Sequence, residues 1–107
     1  MHEAYDIFLN MKTLVKLQDK VIIADPKDNV STARVGIKAG TVLLREGKGE
    51  ITVREDIPFG HKLALEHIAK NEPVFKYGQR IGVATQDIDI GELVHVHNLS
   101  GERGRSS

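Results

Sequence analysis

The chain has 107 residues, enough for one domain with a modest core and too few for two ordinary ones. Apolar residues make up 40% and charged residues 28%, which excludes wholesale disorder, and fifteen basic side chains balance fifteen acidic ones, so no global positive field draws the chain onto nucleic acid or anionic lipid. With no cysteine there is no disulfide framework, thiolate cage or cysteine nucleophile, and any metal must be held by histidine and oxygen ligands.

Residues 1–19 form an N-terminal extension in which Ile7, Phe8, Met11, Leu14 and Val15 fall at helical spacings, with neither Gly nor Pro to interrupt them. One amphipathic helix is one reading and a docking or partly frayed extension is the other, and neither carries chemistry of its own. These residues lack the continuous apolar stretch of a secretory signal, and no later run approaches the roughly 20 residues that cross a bilayer. A cytoplasmic, membrane-free protein is therefore expected. From Lys20 onward the texture changes to short apolar runs broken by Gly, Pro, Asn and Asp, the spacing of an all-β domain over residues 20–99. Predicted strands are Val21–Ala24, Ser31–Val35, Thr41–Arg45, Ile51–Val53, Val74–Phe75, Arg80–Ala84 and Leu93–His97. Gly47-Lys48-Gly49 predicts a hairpin turn, and Ala64-Leu65-Glu66-His67-Ile68 reads as one short helical turn. An internal repeat joins Ile37-Lys38-Ala39-Gly40-Thr41-Val42, Ile68-Ala69-Lys70-Asn71-Glu72-Pro73-Val74 and Ile88-Asp89-Ile90-Gly91-Glu92-Leu93-Val94, each running from isoleucine through a Gly or Asn turn into a strand. Residues 100–107 carry no hydrophobic side chain and are expected to form a mobile tail.

The sharpest chemical feature is His95-Val96-His97-Asn98. On a strand, side chains two apart share a face, so His95 and His97 would converge on one metal while Val96 enters the core. His61, after Gly60, is a candidate third ligand; the competing reading is three exposed or hydrogen-bonded histidines. Lys62 beside it can hold a carboxylate as a point charge or, if desolvated, act as a base; alternatively it is an ordinary solvated lysine. Asp28 and Asn29 are read as turn formers or as a polar wall of a site. No phosphate loop or serine-nucleophile elbow is present, and five aromatic residues are too few for a stacking platform.

Asp28-Asn29-Val30, the run Ile57-Pro58-Phe59-Gly60-His61-Lys62-Leu63-Ala64-Leu65, Ile68-Ala69-Lys70, Val74-Phe75-Lys76-Tyr77-Gly78, Ile81-Gly82 and Gly91 to Asn98 stand together in one order. In these motifs the chain resembles the small SAF-type domain of the altronate and galactarate dehydratase family over about residues 20–99. The resemblance implies a β-clip of short bent strands and hairpins, and a small subunit of a two-component lyase that needs a larger catalytic chain. It implies a hydroxylated-acid substrate in one of two branches: loss of water from sugar acids such as altronate or galactarate, or loss of sulfite from sulfolactate. By the same resemblance His61, His95 and His97 are expected to bind a divalent metal, Fe²⁺ or Mn²⁺, or the substrate directly. Lys62, Asn29 and Asn98 are expected to contact the substrate, with the proton-abstracting base on the larger chain. A rival reading is a noncatalytic β-clip module that binds a sugar acid or mediates assembly, and a third is a free-standing three-histidine metalloenzyme. Self-association through an exposed strand edge is compatible with all three.

Overall fold

The structure, a computed structural model, describes residues 14–102. Nine strands form three small sheets: β1 (Leu14–Lys16), β3 (Val42–Arg45) and β4 (Gly49–Thr52); β2 (Val30–Thr32), β5 (Lys62–Ala64) and β8 (Leu93–Val94); and β6 (Pro73–Lys76), β7 (Gln79–Ala84) and β9 (Leu99–Gly101). This mainly β arrangement agrees with the β-clip expectation. The one helical element among the described residues is a 3₁₀ turn, Leu17–Asp19.

The expected N-terminal helix is corrected where it can be seen. Leu14 and Val15 lie on β1, which runs parallel to β3 with Leu14 opposite Val42, while Ile7, Phe8 and Met11 fall outside the described residues. Pairing with β3 satisfies the backbone of Leu14–Lys16 in an extended form and lets Leu17 enter the core. Ala64–Ile68 is not a helical turn either: Ala64 ends β5, and Ile68 bridges Ile88 with hydrogen bonds in both directions. Of Val21–Ala24, only Val21 pairs, with Ala33. Ser100 and Gly101, expected in the mobile tail, form β9 with Leu99 against β7, and the Arg80 guanidinium grips both carboxylate oxygens of Glu102 at 2.7 and 2.8 Å, while residues 103–107 of that expected tail lie outside the described residues.

The internal repeat is present and runs deeper than the three copies visible in the sequence. Four type II turns, Lys38–Thr41, Pro58–His61, Ala69–Glu72 and Asp89–Glu92, each close with the fourth residue's N–H donating to the first residue's carbonyl at 2.9–3.1 Å. Their third residues are Gly40, Gly60, Asn71 and Gly91, with φ of 90°, 84°, 75° and 91°, the conformation that selects Gly or Asn. The copies associate in pairs, Ile37 with Ile57 and Ile68 with Ile88, and an offset of 31 residues superimposes one pair's hydrogen bonds on the other's. Thus Ala39 N–H donates to Asp56 at 2.8 Å as Lys70 N–H donates to Asp87 at 2.8 Å.

Each copy contributes buried anchors at fixed spacing: Ala33, Ile37 and Leu43; Val53, Ile57 and Leu63; Ala64, Ile68 and Val74; Ala84, Ile88 and Val94. They fill two adjoining cores, one built on β3, β4 and the 3₁₀ turn, the other on β6 and β7. The middle sheet is the shared wall, since Leu63 of β5 belongs to the first core and Ala64, Val30 and Val94 belong to the second.

Candidate functional site

The end of the middle sheet is where the histidines meet. β5 and β8 run antiparallel with Leu63 opposite Leu93 and Lys62 opposite Val94. One further step along that register sets His61 against His95, and their imidazole centroids stand 4.8 Å apart with the rings tilted by 48°. His61 arrives there through the Pro58–His61 turn, and its Nδ1 lies 3.3 Å from the Phe59 carbonyl oxygen.

His95 is held from the other side by Asn98. The buried amide of Asn98 accepts from the His95 N–H at 2.9 Å through Oδ1 and donates to the Leu93 carbonyl at 2.9 Å through Nδ2. The backbone N–H groups of Asn98 and Leu99 both donate to the His95 carbonyl. Together these bonds end β8 at Val94 and wind residues 95–98 into a turn, which overturns the strand expected through His97. Val96, expected in the core, is 81% exposed. Strand geometry therefore no longer aligns His95 with His97, and among the described residues no three His, Asp or Glu side chains are grouped to hold a metal ion. His61 and His95 supply two nitrogen donors, fewer than the three or four protein ligands that hold a first-row metal, so a cation held by them needs donors from beyond these residues.

Lys62 lies between Thr32 of β2 and Val94 of β8. Alternation along β5 puts it on the side of Ala64 and the second core. Burial, with the nearby Lys76 ammonium adding repulsion, lowers its pKa from the ordinary lysine value. Lys76 sits over the Tyr77 ring, 5.2 Å from its centroid. Among the described residues neither lysine has a carboxylate partner, and the buried Thr32 hydroxyl has no hydrogen-bond partner. Thr32 was not singled out in the sequence, and Lys76 was quoted within a motif but given no role. The signals were a hydroxyl in the otherwise apolar surroundings of Val30 and Ala33, and a lysine before the Tyr77-Gly78 turn.

The other expected contacts have work inside the chain. Asn29 donates from Nδ2 to the Pro73 carbonyl at 3.0 Å and accepts the Phe75 N–H at 2.8 Å, tying the approach to β2 onto β6. Asp28, buried, accepts from Tyr77 and Gly78 N–H at 3.0 and 2.7 Å and fixes the β6–β7 turn, in line with its turn-forming reading. In Asn29 and Asn98 these bonds use one Nδ2 hydrogen and one Oδ1 lone pair, leaving a second of each on the amide. His67 lies apart, with its Nδ1 3.3 Å from Asp89. The site is an open rim: cavities of about 320, 630 and 590 Å³ indent the surface elsewhere, and none is lined by His61, Lys62 or His95. Among the described residues no helix is long and apolar enough to cross a membrane.

Comparison with known proteins converges on one group. The model of the altronate/galactarate dehydratase SAF domain matches residues 19–102. The chain is 43% identical over 88 residues to an altronate dehydratase of Bacillus subtilis, covering 82% of this chain and only 16% of that protein. It is 38% identical over 88 residues to (2R)-sulfolactate sulfo-lyase subunit alpha of Chromohalobacter salexigens, covering 77% of this chain and 94% of that subunit. An altronate dehydratase of Escherichia coli is 44% identical over 71 residues, which make up 14% of its length.

Proposed function

The chain belongs to the altronate/galactarate dehydratase SAF-domain family, and on that footing we propose that it is the small subunit of a two-chain lyase that eliminates water or sulfite from a hydroxylated acid. The observation that carries this reading is two imidazoles in contact beside a half-buried lysine, with no third metal ligand grouped with them among the described residues. Similarity along nearly the whole of a protein named as a subunit alpha supports it. So does the apolar surface beside the site, since Phe59 is 73% exposed two residues before His61 and Val96 follows His95. A larger chain closing over this rim would cover both and exclude water from the reaction.

In either branch a proton leaves the carbon next to a carboxylate and the group on the following carbon departs with its bonding electrons. Lys62 anchors one anionic end of the acid by charge, which its removal from water strengthens. His61 and His95 face the reacting end and offer two neutral nitrogen donors to Fe²⁺ or Mn²⁺, with the remaining ligands and the base supplied by the larger chain. Such a cation, when bound, would stabilise the negative charge that develops on the substrate oxygens.

The test is the reconstituted pair of chains with His61→Ala/His95→Ala. Loss of turnover by at least about a hundredfold with the complex still assembled is expected, together with a fall in bound metal; full activity with full metal content would refute the assignment. The noncatalytic module is the other reading, favoured if the chain alone binds a sugar acid stoichiometrically and no partner ever confers turnover.

A further inference from the structure

Lys62, half-buried beside Lys76, faces a buried hydroxyl that has no partner among the described residues, and that points to what the lysines hold. Thr32 and Lys62 are cross-strand partners on β2 and β5, so their side chains share one face of the sheet. β2 also packs against β6, which carries Lys76, and the Tyr77 ring lies beneath the Lys76 ammonium. The result is two ammonium groups and one buried hydroxyl without a partner, on the second-core side of the middle sheet. Among the described residues the close ion pairs use arginine or histidine and no lysine has a carboxylate partner, so what sets Lys62 apart is its partial burial beside Lys76 and its place opposite the unbonded Thr32 hydroxyl. A buried hydroxyl left unbonded and two like charges brought together both disfavour the empty arrangement. Both are relieved by one ligand group that is anionic and has several acceptor oxygens.

We propose that Thr32, Lys62 and Lys76 form an anion subsite that takes the second charged terminus of the substrate, so that the enzyme prefers hydroxy acids with two anionic ends over those with one. This rests on the lyase reading above and narrows it: the histidine pair addresses the reacting end, and the lysine subsite holds the far end. A hydroxy acid with one anionic end must choose between the lysines and the histidine pair, whereas one with two places its far end on the lysines and keeps the other carboxylate for the histidines. Thr32 donates its hydroxyl hydrogen to one oxygen of the held group, a bond that charge on the acceptor strengthens.

Titration of the full chain, followed through its backbone amide resonances, tests the subsite without any partner. Malate and lactate serve as matched two- and one-charge hydroxy acids, and sulfoacetate replaces one of two carboxylates by a sulfonate. Malate or sulfoacetate is expected to shift the amides of Thr32, Lys62 and Lys76 at concentrations about tenfold lower than lactate needs, roughly one added charge contact. In Lys76→Gln that preference should fall to about twofold or less, and Thr32→Val should weaken both dianions while the rest of the spectrum stays unchanged. Equal responses to malate and lactate, no response at these residues, or an undiminished preference in a folded Lys76→Gln chain would overturn the proposal. If the preference holds but no larger chain ever supports turnover, the subsite stands and the lyase reading falls.

Discussion

Gly40 and Gly91 occupy the same place in two copies of one turn, with φ of 90° and 91°, yet only one of them is crowded. A Cβ at Gly40 would meet nothing within 4 Å, whereas at Gly91 it would stand 2.2 Å from the Thr52 carbonyl oxygen. Gly40→Ala should therefore cost about 1–2 kcal/mol, from the left-handed backbone alone. Gly91→Ala should cost about 2 kcal/mol more, because it must also push β4 away; urea unfolding of the two variants measures the difference. Asp28 supports the β6–β7 turn through two backbone bonds from a buried position, and Asp28→Ala should lose about 1–3 kcal/mol in the same assay. Lys62 behaves in the opposite sense. Its ammonium is drawn out of water beside another cation, so Lys62→Met should raise the melting temperature by a few degrees while abolishing binding of malate. A variant less stable than the parent would show that the lysine stem, not its charge, dominates. At this scale the sequence marked His61, Lys62 and His95 by residue type. It could not give their pairing, because the ring contact follows from the register of β5 on β8, which no local pattern encodes.

The turn copies are the element from which the fold is made, and their legibility has a physical limit. Isoleucine followed by Gly or Asn at the third place was visible at Ile37, Ile68 and Ile88, since a type II turn needs positive φ there and the anchor must be apolar. The fourth copy, Ile57-Pro58-Phe59-Gly60, was present in the sequence but hidden by its exposed phenylalanine and by the chemistry of the residues that follow. Because the pairs are equivalent, Ile57→Val and Ile88→Val should destabilise by similar amounts, about 0.5–1.5 kcal/mol each. A difference above about 1 kcal/mol would mean the two cores are not energetically alike. The strand expected over Leu93–His97 failed for a reason within the motif itself. Asn98 bonds back to the His95 N–H and the Leu93 carbonyl, so the asparagine that closes His95-Val96-His97-Asn98 makes a turn rather than an extended run. β9 was missed for the opposite reason: Leu99-Ser100-Gly101 has little apolar character, and its pairing depends on Gly82, where a Cβ would stand 2.2 Å from the Ser100 carbonyl oxygen.

For the whole molecule, two small cores share one sheet, and the groups with chemistry gather at that sheet's end and beside the second core, outside the larger cavities. An all-β domain was legible from composition and turn spacing, and the β-clip arrangement was implied by the family resemblance. The proposed division of labour with a larger chain also came from that resemblance, and what the structure adds is that among the described residues no third His, Asp or Glu joins His61 and His95 in a metal-holding group. Exposed Phe59 and Val96 belong to the same picture. Phe59→Ser/Val96→Ser should weaken assembly with a larger chain about tenfold or more while leaving the thermal unfolding of the isolated subunit unchanged; equal affinity would place the contact elsewhere. The central claim is that this chain completes a lyase only together with a second one. Purifying the tagged chain from its native cell extract, identifying what remains bound by mass, and assaying that material with altronate, galactarate and sulfolactate tests it most directly. The account predicts a stoichiometric dehydratase-like chain and turnover that disappears when the two are separated and returns when they are recombined. Turnover by this chain alone, or recovery of the chain with no such partner and no activity, would contradict it.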